Sequence, residues 1–175
     1  MGVPSVRFRR LRTEDLPTLV EWFADPVVAR WWNQRADLES VTAKYAARIA
    51  GTGDPTEMWV VEIDEQPTGL LQCYRDRDYP EHDAAVGIER AVGIDYLLGP
   101  AHRGRGLAGI VLAEFAELAL RRFPDCTVCV AAPARDNEAS WRALEHAGFV
   151  RSHECQCPDE PAGYAYVFSP PAPHA

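Results

Sequence analysis

The sequence contains no run of the roughly 20 apolar residues that a membrane-spanning helix requires, so no membrane partner is expected. Four arginines lie between Met1 and Arg12 with no apolar stretch behind them, so no secretory leader is expected and the cytoplasm is the expected compartment. A disulfide framework is also missing. The five cysteines, at 73, 126, 129, 155 and 157, are odd in number and sparse for 175 residues. Positive charge is in deficit, with 18 Lys and Arg against 26 Asp and Glu. The net charge of −8 speaks against nucleic acid and for cationic small molecules as partners. Internal repeats and linkers are absent, so residues 1–169 are expected to form one domain, a monomer or homodimer, with a frayed Pro-rich tail at 170–175.

No metal site is expected either. Cys126 and Cys129 share the apolar run Cys126-Thr-Val-Cys-Val130, where residues three apart point to opposite faces of a strand. His153, Cys155 and Cys157 would share one strand face, but a fourth ligand and a spaced second pair are lacking.

What is present is an alternation of helical and extended patterns. Leu16, Leu19, Val20 and Phe23 follow helical spacing behind a candidate cap, Thr13, and Asp25-Pro26 stops that helix. The aromatic pair Trp31-Trp32 falls in a short irregular or helical segment. A second helix is predicted over 38–50, with Leu38, Val41, Tyr45 and Ile49 along one stripe. Strands follow at 58–63 and 69–75, then a charged loop over 76–91, then a strand at 92–98. A long helix begins near Leu107, with Ile110, Val111, Phe115 and Leu118 facing inward, and stops before Pro124. After a strand at 126–131 comes a helix over 138–147 with Gly148 as its C-terminal cap, then two strands, 149–157 and 163–168. The pattern reads as α/β with a single mixed sheet.

The strongest chemical signal is a strand, a glycine loop and a helix: Gly93-Ile-Asp-Tyr-Leu-Leu98, then Arg103-Gly-Arg-Gly-Leu-Ala108. Glycines allow the backbone to turn sharply and to offer successive N–H groups to an anion. A helix start adds four unpaired N–H groups and a positive dipole end. Arg103 and Arg105 supply charge suited to phosphate. No Gly-Lys-Ser/Thr follows, which excludes a P-loop, and the glycine spacing excludes a dinucleotide fingerprint.

Arg-x-x-Gly-x-Ala after a strand resembles the pyrophosphate loop of the GNAT N-acetyltransferase superfamily. Asp136-Asn137 followed by Trp141-Arg-Ala-Leu-Glu-His-Ala-Gly-Phe149 resembles its later signature. Leu19-Val-Glu-Trp-Phe23, Val28-Ala-Arg-Trp-Trp32, the Gly93-Ile-Asp95 strand and Cys157-Pro-Asp-Glu-Pro161 are similar to aminoglycoside 6'-N-acetyltransferases. Related patterns occur in acetyltransferases acting on kasugamycin and, more distantly, in siderophore acyltransferases.

The resemblance implies a GNAT fold with a centrally splayed sheet flanked by helices, and acetyl-CoA as cofactor. It places the cofactor on Arg103, Gly104, Arg105, Gly106, Leu107 and Ala108, on Leu97 and Leu98 of the splayed strand, and on Asn137. Asp95 matches the family aspartate that receives the substrate ammonium and takes its proton. Trp31 and Trp32 offer faces to sugar rings and ammonium groups. Asp76, Asp78 and Glu89, with Glu160 and Asp159 on the closing hairpin, would form a negative wall for a cationic acceptor. Two departures stand out. The tyrosine acid of the family is Leu144 here, and an acidic residue expected near Val130-Ala-Ala-Pro133 is alanine. The resulting expectation is acetyl transfer to an aminoglycoside 6'-amine by direct attack in a ternary complex. A kasugamycin, siderophore-lysine or polyamine acceptor is the enzymatic alternative, and a non-catalytic acyl-CoA-binding module is the alternative of another class. Tyr96, Tyr164 and Tyr166 are candidate replacements for the missing acid.

Overall fold

In the computed structural model, which describes residues 4–171, strands and helices alternate much as the periodicities predict. The end of the tail, from residue 172, lies outside the described residues. The elements are β1 (Val6–Arg10), α1 (Leu16–Ala24), α2 (Pro26–Trp31), α3 (Leu38–Ala50), β2 (Glu57–Ile63), β3 (Gln66–Arg75) and α4 (Pro80–Val86). They continue with β4 (Ala91–Leu98), α5 (Leu107–Arg122), β5 (Val128–Ala131), α6 (Glu138–His146), β6 (Val150–Cys155) and β7 (Gly163–Phe168). The strands form one seven-stranded sheet in the order β1-β2-β3-β4-β5-β7-β6. It is mixed: β4 and β5 run parallel, whereas β1–β2, β5–β7 and β6–β7 are antiparallel. By their contacts the residues group into two units. The first holds residues up to Gln72 and Asp95–Arg105, and the second holds Cys73–Ile94 and the chain from Gly106 on.

In the first unit α1 and α3 bury Leu16, Leu19, Trp22, Phe23, Val41 and Tyr45 with Met58 and Val60 of β2, Leu70 of β3 and Leu97 of β4. Full burial of each large apolar side chain contributes about 1.5–3 kcal/mol. Tyr45 stacks on Phe23 with ring centroids 6.0 Å apart. Leu38, predicted on the inner stripe of α3, is 54% exposed because it occupies the first position, ahead of the buried turn. Asp37 caps that helix, accepting from the Ser40 N–H at 2.8 Å. Thr13 is not a cap. It lies in a 3-10 turn, Thr13–Asp15, which is closed by Asp15 accepting from the Arg12 N–H at 2.9 Å. The same carboxylate pairs with Arg9 at 2.7 Å and so fastens β1, a strand whose arginines hid its alternation in the sequence.

In the second unit α5 buries Val111, Leu112, Phe115, Ala116 and Ala119. Ile110, predicted to face inward, is 43% exposed, because the buried stripe runs through Val111 and Phe115 instead. Gly148 follows α6 at φ +91°, the left-handed position that the sequence assigns to it. The segment over 76–91 is not a loop. It forms a 3-10 turn, Asp76–Asp78, and then α4, which Pro80 starts and Gly87 ends at φ +65°. None of the five cysteines forms a disulfide among the described residues, and all five are buried.

Candidate active site

β4 holds Gly93, Asp95, Leu97 and Leu98, the strand residues expected to carry the chemistry. Its parallel register with β5 covers only Ala91 to Gly93, and Ile94–Leu98 lie beyond that ladder. Gly93 is required by crowding: a Cβ there would collide with Asp76 Oδ1 and the Tyr74 ring. Asp76 is thus part of the interior of the second unit, 0% exposed, with His82 Nδ1 3.8 Å from its carboxylate. The expectation that Asp76 belongs to a solvated acidic wall is therefore corrected, because that carboxylate is closed off from solvent. Asp78, Glu89, Asp159 and Glu160 are exposed and belong to the same unit.

Asp95 is half-buried and belongs to the first unit. Its Oδ2 accepts a hydrogen bond from Gln72 Nε2 at 2.7 Å. Gln72 Oε1 in turn accepts from Arg48 Nη1 at 3.1 Å, and Arg48 Nε donates to Asp54 Oδ2 at 2.6 Å. One turn before Arg48 on α3, the Lys44 ammonium is held below the usual lysine range by desolvation and by the like charge of Arg48, against the pull of Asp95 and Asp54. The side chain reaches over the Tyr45 ring, with Nζ 5.6 Å from its centroid. Burial pushes the Tyr45 hydroxyl up to about 12, so it stays protonated and accepts from Trp32 Nε1 at 3.1 Å. That bond fixes the edge of the half-buried Trp32, while Trp31 lies under the Arg30 guanidinium, 4.5 Å from ring centroid to Cζ.

The glycine loop follows β4. Gly99 donates to the Thr68 carbonyl at 2.8 Å and lies so close to Trp22 that a Cβ would approach the indole nitrogen to 2.6 Å. Gly104 and Gly106 adopt φ +72° and +70°, the left-handed region that side chains rarely enter. Gly106 is the N-cap of α5 and leaves the first N–H groups of that 16-residue helix without a side-chain cap. Arg103 Nη2 pairs with Asp25 Oδ1 at 2.8 Å, whereas Arg103 Nη1 is buried and has no hydrogen-bond partner among the described residues. A buried guanidinium nitrogen without an acceptor is costly. An anion beside Arg103 would satisfy it, and the uncapped N–H groups at the start of α5 are suited to an anion in their own right. These residues fit a pyrophosphate.

Asp25 does more than hold Arg103. It ends α1 and caps α2, with the same Oδ1 accepting from the Val27 and Val28 N–H groups at 3.1 and 3.2 Å. Desolvation pushes the Asp25 carboxyl up, but Arg103 and these N–H groups outweigh it, and the pKa falls below the usual carboxylate range.

The family profile described as acetyltransferase (GNAT) domain matches residues 12–157. The chain belongs to the GNAT acetyltransferase family. A crystal structure of the aminoglycoside acetyltransferase AAC(6')-Ib with coenzyme A superposes with a TM-score of 0.80 at 26% identity, covering 94% of this chain and 95% of that one. The same enzyme with coenzyme A and kanamycin gives the same score and coverage. The fold alone is shared with spermidine N-acetyltransferase from Vibrio cholerae, with a TM-score of 0.68, 15% identity and 93% of each chain covered. No curated protein sequence matches this chain. As a GNAT acetyltransferase the protein is an enzyme that uses acetyl-CoA as acetyl donor. Its seven-stranded mixed sheet with flanking helices is the GNAT architecture.

The remaining predicted residues take definite places. Leu97 is buried and Leu98 half-buried in β4. Asn137 caps α6, its Oδ1 accepting from the Ser140 N–H at 3.3 Å. Leu144, at the family's tyrosine position, is 0% exposed. Tyr166 is equally buried, donating to Glu145 at 3.0 Å and accepting from Arg151 at 2.8 Å, and Tyr164 lies under the same guanidinium. Both are engaged structurally. Gln72, Arg48 and Asp54 were not singled out in the sequence, and Asp25 was read only as the stop of α1. A lone glutamine inside the apolar run Leu70-Leu71-Gln72-Cys73-Tyr74 was the one available signal.

Proposed function

We propose that the enzyme transfers the acetyl group of acetyl-CoA to an amine of a cationic small molecule, foremost the 6'-amine of an aminoglycoside. The amine attacks the thioester directly within a ternary complex. The observation that carries this reading is Asp95, a half-buried carboxylate on β4 with one oxygen already engaged by Gln72. Asp95 receives the acceptor ammonium and takes its proton, since only the neutral amine can attack. The pyrophosphate sits on Arg103, Gly104, Arg105 and Gly106 and on the N–H groups of Leu107 and Ala108. Backbone groups of Leu97 and Leu98, beyond the β5 ladder, hold the thioester arm and its carbonyl, and Asn137 contributes from the start of α6. Trp31 and Trp32 supply faces for sugar rings, and the exposed Asp78, Glu89 and Glu160 attract the cation. With Leu144 offering no proton, the thiolate leaves unassisted from that position. A thiol with a pKa near 8.5 is an adequate leaving group.

The reading is supported by solved relatives at 25–26% identity that hold aminoglycosides beside coenzyme A or acetyl-CoA. The test is thiol release from acetyl-CoA with kanamycin, kasugamycin, an Nε-hydroxylysine derivative and spermidine as acceptors. Turnover with kanamycin, at an efficiency above the other three, is expected. Preference for any of the others overturns the aminoglycoside assignment.

A further inference from the structure

We infer that Gln72, oriented by Arg48 and Asp54, is a positioning residue that fixes the Asp95 carboxylate for acetyl transfer. The inference rests on the assignment of Asp95 as the group that meets the acceptor amine. An amide side chain has two different ends, a carbonyl that accepts and an NH₂ that donates, and in isolation either could face a neighbour. Here the choice is forced. The Arg48 guanidinium has only donors, so the end facing Nη1 at 3.1 Å is Oε1. The NH₂ is thereby turned to Asp95 Oδ2 at 2.7 Å.

Arg48 is itself held. Its side chain is only 14% exposed, its Nε pairs with Asp54 Oδ2 at 2.6 Å, and Asp54 Oδ1 accepts from the Thr56 N–H at 2.9 Å. The chain of contacts therefore ends on backbone, at the approach to β2. A carboxylate free to turn about its last bond would present either oxygen to an amine. With Oδ2 taken by Gln72, Oδ1 is the oxygen left for the acceptor, and its direction is set by β3 rather than by solvent. Positioning of this kind is worth a great deal to a reaction that needs the amine in line with a carbonyl, where a misplacement of about 1 Å can lower the rate about a hundredfold.

The decisive experiment is a double-mutant cycle on acetyl transfer to kanamycin, with Gln72→Leu, Asp95→Asn and the pair, alongside Arg48→Met and Arg48→Lys. Gln72→Leu is expected to lower kcat about tenfold to a hundredfold while leaving the KM for acetyl-CoA unchanged. In the Asp95→Asn background the same change should have little further effect. Arg48→Met should give a smaller loss in kcat, and Arg48→Lys, which keeps a donor for Oε1, should recover most of it. A loss from Gln72→Leu that is equally large in both backgrounds overturns the positioning role and makes Gln72 merely structural. If Asp95→Asn alone leaves turnover intact, it is the Asp95 assignment that falls. A second readout needs no acceptor. The Gln72 side-chain NH₂ pair in a ¹⁵N spectrum, identified by its disappearance in Gln72→Leu, should move in both Asp95→Asn and Arg48→Met. An unmoved pair overturns the inference whatever the kinetics.

Discussion

The two regions proposed to hold the cofactor and the acceptor are built on opposite plans. The loop is contiguous, Arg103 to Ala108, and works through backbone: two left-handed glycines and the uncapped start of α5. The region around Asp95, proposed to receive the acceptor, is assembled from side chains at positions 32, 45, 48, 54, 72 and 95, drawn from α3, β3, β4 and the segments that follow α2 and α3. A backbone site depends on a few torsion angles and tolerates most changes around it. A side-chain network depends on each member, and a change in one propagates to the others.

The difference can be broken or sharpened by mutation. The largest effect is expected for Asp95→Asn, which removes the proton acceptor and should lower kcat about a hundredfold or more. The KM for acetyl-CoA should stay unchanged in steady-state assays. Gly106→Val should do the reverse. A β-branched residue at φ +70° is strained by at least 1–2 kcal/mol, on the order of a tenfold increase in the KM for acetyl-CoA. Saturating cofactor should restore kcat, and a fall in kcat that saturation cannot repair would mean that the loop is not a separate module.

Asp25→Asn probes the joint between the two regions. Asparagine still caps α2 but cannot form an ion pair with Arg103, so acetyl-CoA affinity should fall about threefold to tenfold, the range of one charge-assisted contact. Titration calorimetry reads this directly. A smaller change, of opposite sign, is expected at Lys44. Its charge opposes that of a polycationic acceptor near Asp95, so Lys44→Gln should lower the KM for kanamycin by about twofold to fivefold. That gain should fade as salt rises. An unchanged KM would place the acceptor away from α3.

Acid stability serves as a control outside both regions. Burial raises the Asp15 carboxyl, but hydrogen bonds from Arg9 and from the Arg12 N–H outweigh it and leave its pKa below the usual value. Its contribution is therefore present above the unfolded pKa of about 3.9 and lost as pH falls through the lower folded value. Denaturant midpoints for Asp15→Asn should fall below the parent's at neutral pH and converge with them as pH falls through that lower folded value.

The same contrast governs how much could be read from the sequence. The loop, its helix and Gly148 were legible because each is a local backbone event with a glycine to mark it. The stripes of α1, α3 and α5 were legible from period, although Leu38 and Ile110 show that periodicity does not say where burial begins. β1 was masked, since its arginines pair with Asp15, Glu62 and Glu57 rather than facing solvent alone. α4 was read as loop because its charges outweigh its one buried residue, Val86. The orientation of Asp95 was beyond reach, since nothing in the spacing of residues 48, 72 and 95 announces that they meet. Asp76 misled for a related reason. Its neighbours in sequence are charged and exposed, whereas its neighbours in space include Tyr74 and Gly93.

The shared oxygen of Asp25 has a consequence for how such a sequence can vary. One atom serves the first turn of α2 and the Arg103 guanidinium, so drift at either position is constrained by the other. Exchanging Arg103 for a neutral residue leaves a carboxylate whose only remaining occupation is capping, for which serine or asparagine would do as well. Positions 25 and 103 should therefore change together among descendants of this chain, the acid surviving only where the arginine does. A homologue that keeps one without the other would have found another way to hold α2 against the segment that follows β4.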